Sequence, residues 1–274
     1  MGWIKPGDYS FNSFLLMERF QIRLMMDANG WRNDKEEWRR NMGAALRANP
    51  AVEWYLKRRC PECAQALEKI VSESKATADA GEIRRAEIYA LASVEDFVAH
   101  TTPEIMDESC QYIRDWDNER LYEMADFEGK TVLDVGAGSG RLTFAAAAKA
   151  REVYAAEPVG TLREYIRAKA LVKNIANVRV TEALVTSLPY PDDTFDIVIS
   201  GHVVGDEWDA EIEELTRVCK HGGWLIDCPG DEAHGGDRGK FMDELAVRGW
   251  ERLSYAGNGG GRVHRYRKRV DKSL

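Results

Sequence analysis

The chain has 274 residues, 44% hydrophobic and 31% charged, enough to bury one good core and a smaller second one, so one to two domains are expected. Its 46 acidic against 38 basic residues leave a net charge of -8, which argues against a general electrostatic grip on nucleic acid and favours a small-molecule or protein substrate. No apolar run approaches the ~18 residues of a membrane span, and Met1–Pro6 lacks a signal-peptide core, so no membrane attachment and a cytoplasmic location are expected.

Residues 1–125 read as a mostly helical region. Phe14 to Met26 is too rich in apolar residues for a fully exposed helix, and is expected to pack against the main domain. Asp34 with Glu37 resembles a capping box, and Asn49-Pro50 interrupts the helix that follows. Further helices are expected over Pro61 to Ser74, Ala80 to Ala92 and Pro103 to Ala125, the last with Thr102 as N-cap and Pro103 in its first turn. For Trp3, Tyr9, Phe11, Trp31, Trp54 and Trp116, core packing is a simpler account than a substrate-binding wall. The spacing of Cys60-Pro-Glu-Cys63 is that of half a zinc site. A structural site needs four ligands, however, and Cys110, His100, Cys219 and Cys228 are scattered. Pro61 and the residues after it read as a first helical turn, so buried helical thiols are expected and no metal.

From residue 131 strands and helices alternate, which predicts a parallel, doubly wound sheet. Strands are expected at 131–135, 152–156, 177–182, 194–200 and 223–228. Glu251–Ala256 and Arg262–Val270 flank the glycine-rich Gly257–Gly261, a hairpin signature. The most informative stretch is Val132–Gly140, VLDVGAGSG, which joins an apolar strand, the carboxylate Asp134 and glycines at 136, 138 and 140 to a helix of strong formers beginning at Arg141. Counted from Gly136, the sixth position is Arg141 rather than the glycine of a dinucleotide fingerprint. The Gly-Lys-Ser/Thr of a polyphosphate loop is also missing, leaving some other nucleoside-containing ligand.

With Asp134, Gly136, Gly138 and Gly140 in this form, the sequence resembles the class I S-adenosylmethionine (SAM)-dependent methyltransferases of the type 11/25-like kind. Val153–Glu157 then matches the second strand and its terminal acid, Leu188–Ser200 the approach to the fourth strand, and Leu215–Asp227 the helix, glycine turn and fifth strand. The resemblance covers roughly residues 130–230 and implies a Rossmann-like, seven-stranded α/β fold with an antiparallel last strand. It divides the chain into an N-terminal helical region, 1–125, covering the substrate site, and a SAM-binding domain, 126–274.

The resemblance further implies SAM as cofactor and S-adenosylhomocysteine as product, with methyl transfer to an oxygen or nitrogen of a small molecule. Glu157 would accept the ribose hydroxyls. Asp134 would receive the methionine ammonium, directly or through water, and Gly136, Ala137, Gly138 and Gly140 would line the cofactor. Pro158 and Gly201 complete that set. The place of the family's adenine-binding acid is taken here by Leu184, so adenine would be held by Leu184 and Val185, or by Glu182 if the register slips. His202, after strand four, and His234, in the mobile-looking Cys228–Arg238 segment, are the candidate bases, each competing with a bland packing or solvated role. Asp196 reads as structural, and Asp206 and Glu207 as first-turn acids of the next helix. Three alternatives stay open: an RNA methyltransferase using the basic stretch Arg262–Arg269, a protein methyltransferase, and a non-catalytic SAM-binding module. Alternating charges on an exposed strand explain the basic stretch more cheaply, and a homodimer is compatible with the sequence.

Overall fold

The computed structural model describes residues 4–28, 35–94, 101–109, 117–205, 207–229, 244–256 and 262–272. Trp3, Trp31, Asp34, His100, Cys110, Trp116, Asp206, His234 and Gly257–Gly261 lie outside the described residues. Two compact units form, Met1–Ile105 and Met106–Leu274.

The first unit is helical, with α1 (Arg19–Ala28), α2 (Lys35–Ala48), α3 (Pro50–Arg59), α4 (Ala64–Glu73) and α5 (Ala80–Ser93). Asn49-Pro50 separates α2 from α3 because proline cannot continue the preceding helix but fits a new first turn. Asp79 caps α5, accepting the Glu82 N–H at 2.7 Å. The apolar density of Phe14–Met26 is accounted for within this unit: Phe14, Met17, Ile22 and Met25 are buried in its own core with Trp38, Leu46 and Leu67. Part of that stretch is a 3-10 turn, Phe11–Leu16, rather than α-helix. Trp38 Nε1 donates to Ser93 Oγ at 3.0 Å, so even the most buried indole has a partner. Phe11 joins the core, whereas Trp54 stands 62% exposed.

α6 (Pro103–Ser109) spans the division between the units, and α7 (Glu119–Tyr122) precedes the sheet. Where one helix over Pro103–Ala125 was expected, these are separate pieces with residues 110–116 not described. The sheet has seven strands, β1 (Thr131–Val135), β2 (Glu152–Ala156), β3 (Val178–Thr181), β4 (Phe195–Ser200), β5 (Cys219–Asp227), β6 (Glu251–Ala256) and β7 (Arg262–Arg269), in the order β3-β2-β1-β4-β5-β7-β6. β1 to β5 are parallel, and β7 is antiparallel to both β5 and β6. β1 is buried along its whole length, since Leu133 and Val135 pack into the core on one face and Val132 on the other. α8 (Arg141–Ala147), α9 (Gly160–Val172) and α10 (Trp208–Val218) connect the strands.

Two sequence expectations change. The glycine turn before strand five lies inside β5: Phe195 pairs with Cys219 and Ile197 with Trp224, so Lys220–Gly223 form an irregularity in a continuous strand. The basic stretch Arg262–Arg269, expected as an exposed strand, lies between β5 and β6 and is only partly exposed. Three of its charges are engaged locally. Arg265, 3% exposed, pairs with Glu123 at 2.7 Å, Arg267 with Glu251 at 2.8 Å, and Arg267 and Arg269 each lie 4.9 Å from the Trp224 ring.

Candidate functional site

The order of the sheet reverses direction at β1, between β2 and β4, which is where ligands bind in doubly wound folds, beyond the carboxyl ends of the strands. The chain leaves β1 at Val135 and turns through Gly136–Gly140 into α8. The N–H groups of Gly136 and Ala137 both donate to the Ala156 carbonyl, at 2.8 and 3.1 Å, and tie this turn to the end of β2. Gly136 and Gly138 have φ of +66° and +57°, a region where a side chain is strained. A Cβ on Gly136 would also run into Val203, and one on Gly138 would come 3.1 Å from Met106 Cε.

Two carboxylates flank the turn. Asp134, 1% exposed, accepts a hydrogen bond from Thr143 Oγ1 of α8 at 2.5 Å. Burial pushes its pKa up to about 7, against the opposing Thr143 bond and the Arg141 charge. Glu157, at the end of β2, accepts the Val159 N–H on Oε1 and the Gly138 N–H on Oε2, both at 2.8 Å. Burial raises it to about 7 despite those bonds and the nearby Arg163. Each of its oxygens has accepted one donor, and carboxylate oxygens can accept two, so capacity for two ligand hydroxyls remains.

The other expected residues come to the same edge because β3, β2, β1 and β4 are adjacent and parallel. Pro158 follows Glu157 directly, and Arg163 Nη1 donates to the carbonyls of both, at 2.7 and 2.9 Å. Leu184 and Val185 follow β3 in a tight turn, with Ser187 N–H donating to the Leu184 carbonyl at 3.0 Å. Glu182 is turned outward to Arg163, 2.8 Å away. Gly201 and His202 follow β4, and His202 is exposed in a left-handed conformation, φ +64°. Glu207 is the N-cap residue of α10, whose first-turn acids are Asp209 and Glu211.

Asp196 is structural as expected: it accepts the Thr131 N–H at 2.8 Å and Lys220 Nζ at 2.7 Å, at the opposite end of the strands. Its carboxyl is buried enough to be pushed up, but Lys220 and the Thr131 bond hold it below the usual value.

Three residues of this region escaped the sequence reading. Thr143 binds Asp134, and its signal is a lone hydroxyl on the apolar Leu142–Ala148 run. Arg163 binds around Glu157 from one turn into α9. Glu211, 2% exposed, accepts the N–H groups of Gly205 and Glu207 at 2.7 and 3.0 Å and so fastens the segment after β4. Its signal is an acid four residues after the helix N-cap.

The family model described as a methyltransferase domain matches residues 132–223. Residues 132–223 carry a methyltransferase domain. Over 99 residues the chain is 36% identical to the uncharacterized protein Rv1405c of Mycobacterium tuberculosis, covering 35% of this chain and 36% of that one. A further likeness is to the uncharacterized methyltransferase YcgJ of Bacillus subtilis, 34% identical over 98 residues, 35% of this chain and 38% of the relative. The chain therefore matches little more than a third of the length of either curated relative. In fold it resembles the crystal structure of a SAM-dependent methyltransferase from Aquifex aeolicus, with TM-score 0.51 and 21% identity over 62% of this chain and 98% of that one.

The residues present fit SAM, the cofactor that the resemblance to methyltransferases implies. Asp134, Glu157 and Asp227 are all nearly inaccessible at the carboxyl ends of their strands, a set of acids suited to a sulfonium and an ammonium. The turn leaves no room for side chains where the backbone must be approached.

Cys60 and Cys63 are free thiols in the helical unit, both buried, with their sulfurs 3.1 Å apart. Among the described residues no group of three or more His, Cys, Asp or Glu is placed to hold a metal, and no helix is long and apolar enough to cross a membrane.

Proposed function

We propose that the protein transfers a methyl group from SAM to an oxygen or nitrogen atom of a small-molecule acceptor. The observation that carries this reading is Glu157: a buried acid at the end of β2 whose carboxylate is bonded to Gly138 of the glycine turn and keeps acceptor capacity for two hydroxyls. When bound, SAM supplies a methyl on a positively charged sulfur, a good leaving group that needs no activation by the protein.

Glu157 would hold the ribose hydroxyls. Asp134 would receive the methionine ammonium directly or through water, and Gly136, Ala137, Gly138 and Gly140 would provide the close backbone approach. Pro158, Leu184 and Val185 would border the adenine, with Gly201 on the side of β4. What remains for the chain is to hold the acceptor in line, exclude water and take a proton from a hydroxyl or amine. His202, exposed beyond β4, is the first candidate base, and His234 the second.

A small acceptor is favoured over RNA by the net charge of -8 and by the internal use of Arg265, Arg267 and Arg269. The test is a labelled-methyl transfer screen over metabolite pools, total RNA and protein. Label in the low-mass fraction supports the reading. Label only in RNA or protein replaces the acceptor class, and SAM binding without any transfer replaces enzyme by binding module.

A further inference from the structure

The methyltransferase reading assigns no task to Arg141, the residue standing where a dinucleotide fingerprint has its last glycine. Resting on that reading, we infer that Arg141 is a positioning residue that locks the segments following β4 and β5 to the cofactor turn, so that the acceptor meets the methyl in one geometry.

Arg141 is the first residue of α8, immediately after Gly140. A cation in the first turn opposes the helix dipole, so helix stability does not explain its presence. Its Nη2 donates to the Cys228 carbonyl, just beyond β5, at 2.6 Å. The same nitrogen lies against Gly201, just beyond β4: a Cβ built there would stand 2.7 Å from Nη2 and 2.8 Å from the Cys228 oxygen. Gly201 is small because a guanidinium and a carbonyl pass across its face.

The two segments are also joined to each other. The Cys228 N–H donates to the Ser200 carbonyl at 2.8 Å, and Ser200 Oγ donates to Asp227 Oδ1 at 2.7 Å. Asp227 Oδ2 is buried with no hydrogen-bond partner among the described residues, and the charge of Arg141 acts on Asp227 as it does on Asp134. Arg141, at the end of the turn after β1, thus sets its guanidinium against the backbone after β4 and the backbone after β5. These last two flank the region where an acceptor meets the cofactor in this architecture. A misplacement of about 1 Å there costs on the order of a hundredfold in rate, so a loosened Arg141 is expected in kcat rather than in cofactor affinity.

The test uses the full chain with Arg141→Met and Arg141→Lys. Titration calorimetry with S-adenosylhomocysteine is expected to give dissociation constants within about threefold of wild type. Hydrogen exchange read by mass spectrometry is expected to be about ten- to a hundredfold faster in peptides covering residues 198–205 and 225–229 of Arg141→Met, with Arg141→Lys intermediate. With the acceptor found by the transfer screen, kcat should fall about a hundredfold in Arg141→Met while the KM for SAM holds, and lysine should restore part of it. Wild-type exchange in both segments, or a loss confined to cofactor affinity, overturns the inference. Should Arg141→Met fail to fold, Gly201→Ala displaces the guanidinium from the other side and must loosen the 225–229 peptide if the inference holds. Wild-type protein that binds no S-adenosylhomocysteine refutes the methyltransferase reading alone, because the exchange comparison still decides the role of Arg141.

Discussion

Glu157 reaches from the end of β2 to accept the Gly138 N–H at 2.8 Å, so the acid expected on the ribose also fixes the turn that would carry the rest of the cofactor. Its loss removes two functions at once. Glu157→Ala is expected to weaken S-adenosylhomocysteine binding by about tenfold to a few hundredfold, the equivalent of roughly 1.5–3 kcal/mol for hydrogen bonds to a charged group. Glu157→Gln should fall in the same range, because an amide offers one acceptor oxygen where both Oε1 and Oε2 now accept N–H groups. Calorimetry checks both, and wild-type affinity in Glu157→Ala would remove the ribose role.

The pH dependence follows from burial. Asp134 and Glu157 are raised to about 7 and Asp227 to about 6, against ordinary carboxyl values near 4 in the unfolded chain. Between these limits the folded state binds more protons than the unfolded one, so this contribution is fully present below about pH 4 and is lost as pH rises through 6 to 7. The unliganded protein should melt at a lower temperature at about pH 8 than at about pH 5.5. A cationic cofactor favours the ionised acids, so SAM should bind more tightly at the higher pH and release protons on binding. A melting temperature that climbs across this range, or SAM affinity that falls, contradicts the assignment.

Much of this region was legible before the fold was known, and the reason is local. VLDVGAGSG dictates strand, turn and helix within one short window, and Gly136 and Gly138 do take the left-handed conformations that such a turn requires. Glu157 was legible because a strand-end acid keeps its place whatever surrounds it. Arg163, Thr143 and Glu211 were not, since each acts through a partner that only tertiary packing brings near. Arg262–Arg269 was read as exposed, which holds at its ends but not at Arg265, because charge alternation does not reveal which strands flank a strand. Here β5 and β6 do, and Arg265 is buried between them.

The two turn glycines should differ in their tolerance. Alanine at either position meets the cost of a positive φ, about 1–2 kcal/mol. At Gly136 the new methyl also meets Val203, which is branched and partly buried, whereas at Gly138 it meets the flexible end of Met106 at 3.1 Å. Gly136→Ala should therefore lower the melting temperature more than Gly138→Ala, and both should weaken S-adenosylhomocysteine binding. Equal melting temperatures would show that Val203 yields freely.

Thr143→Val keeps the shape of the side chain and deletes the 2.5 Å bond to Asp134. A buried carboxylate deprived of a donor costs about 1–3 kcal/mol, so the melting temperature should drop by several degrees and recover partly in Thr143→Ser. An unchanged melting temperature would mean that Asp134 holds its proton instead, which a loss of stability displaced to higher pH would reveal.

His202 occupies a left-handed backbone position at φ +64°, which asparagine tolerates better than alanine. His202→Asn is thus the cleaner probe of base catalysis, expected to lower kcat about 10²- to 10⁴-fold if proton removal limits the rate. His234→Asn is the companion variant. Unchanged kcat in both at saturating substrate eliminates histidine as the base.

Transfer of a radiolabelled methyl group from SAM, followed into low-mass, RNA and protein fractions of a cell extract, measures the central claim directly. Label should appear in the low-mass fraction, be retained through separation from SAM itself, and fall with Glu157→Ala. Label confined to RNA or protein, or the absence of transfer from a protein that binds SAM, would contradict it.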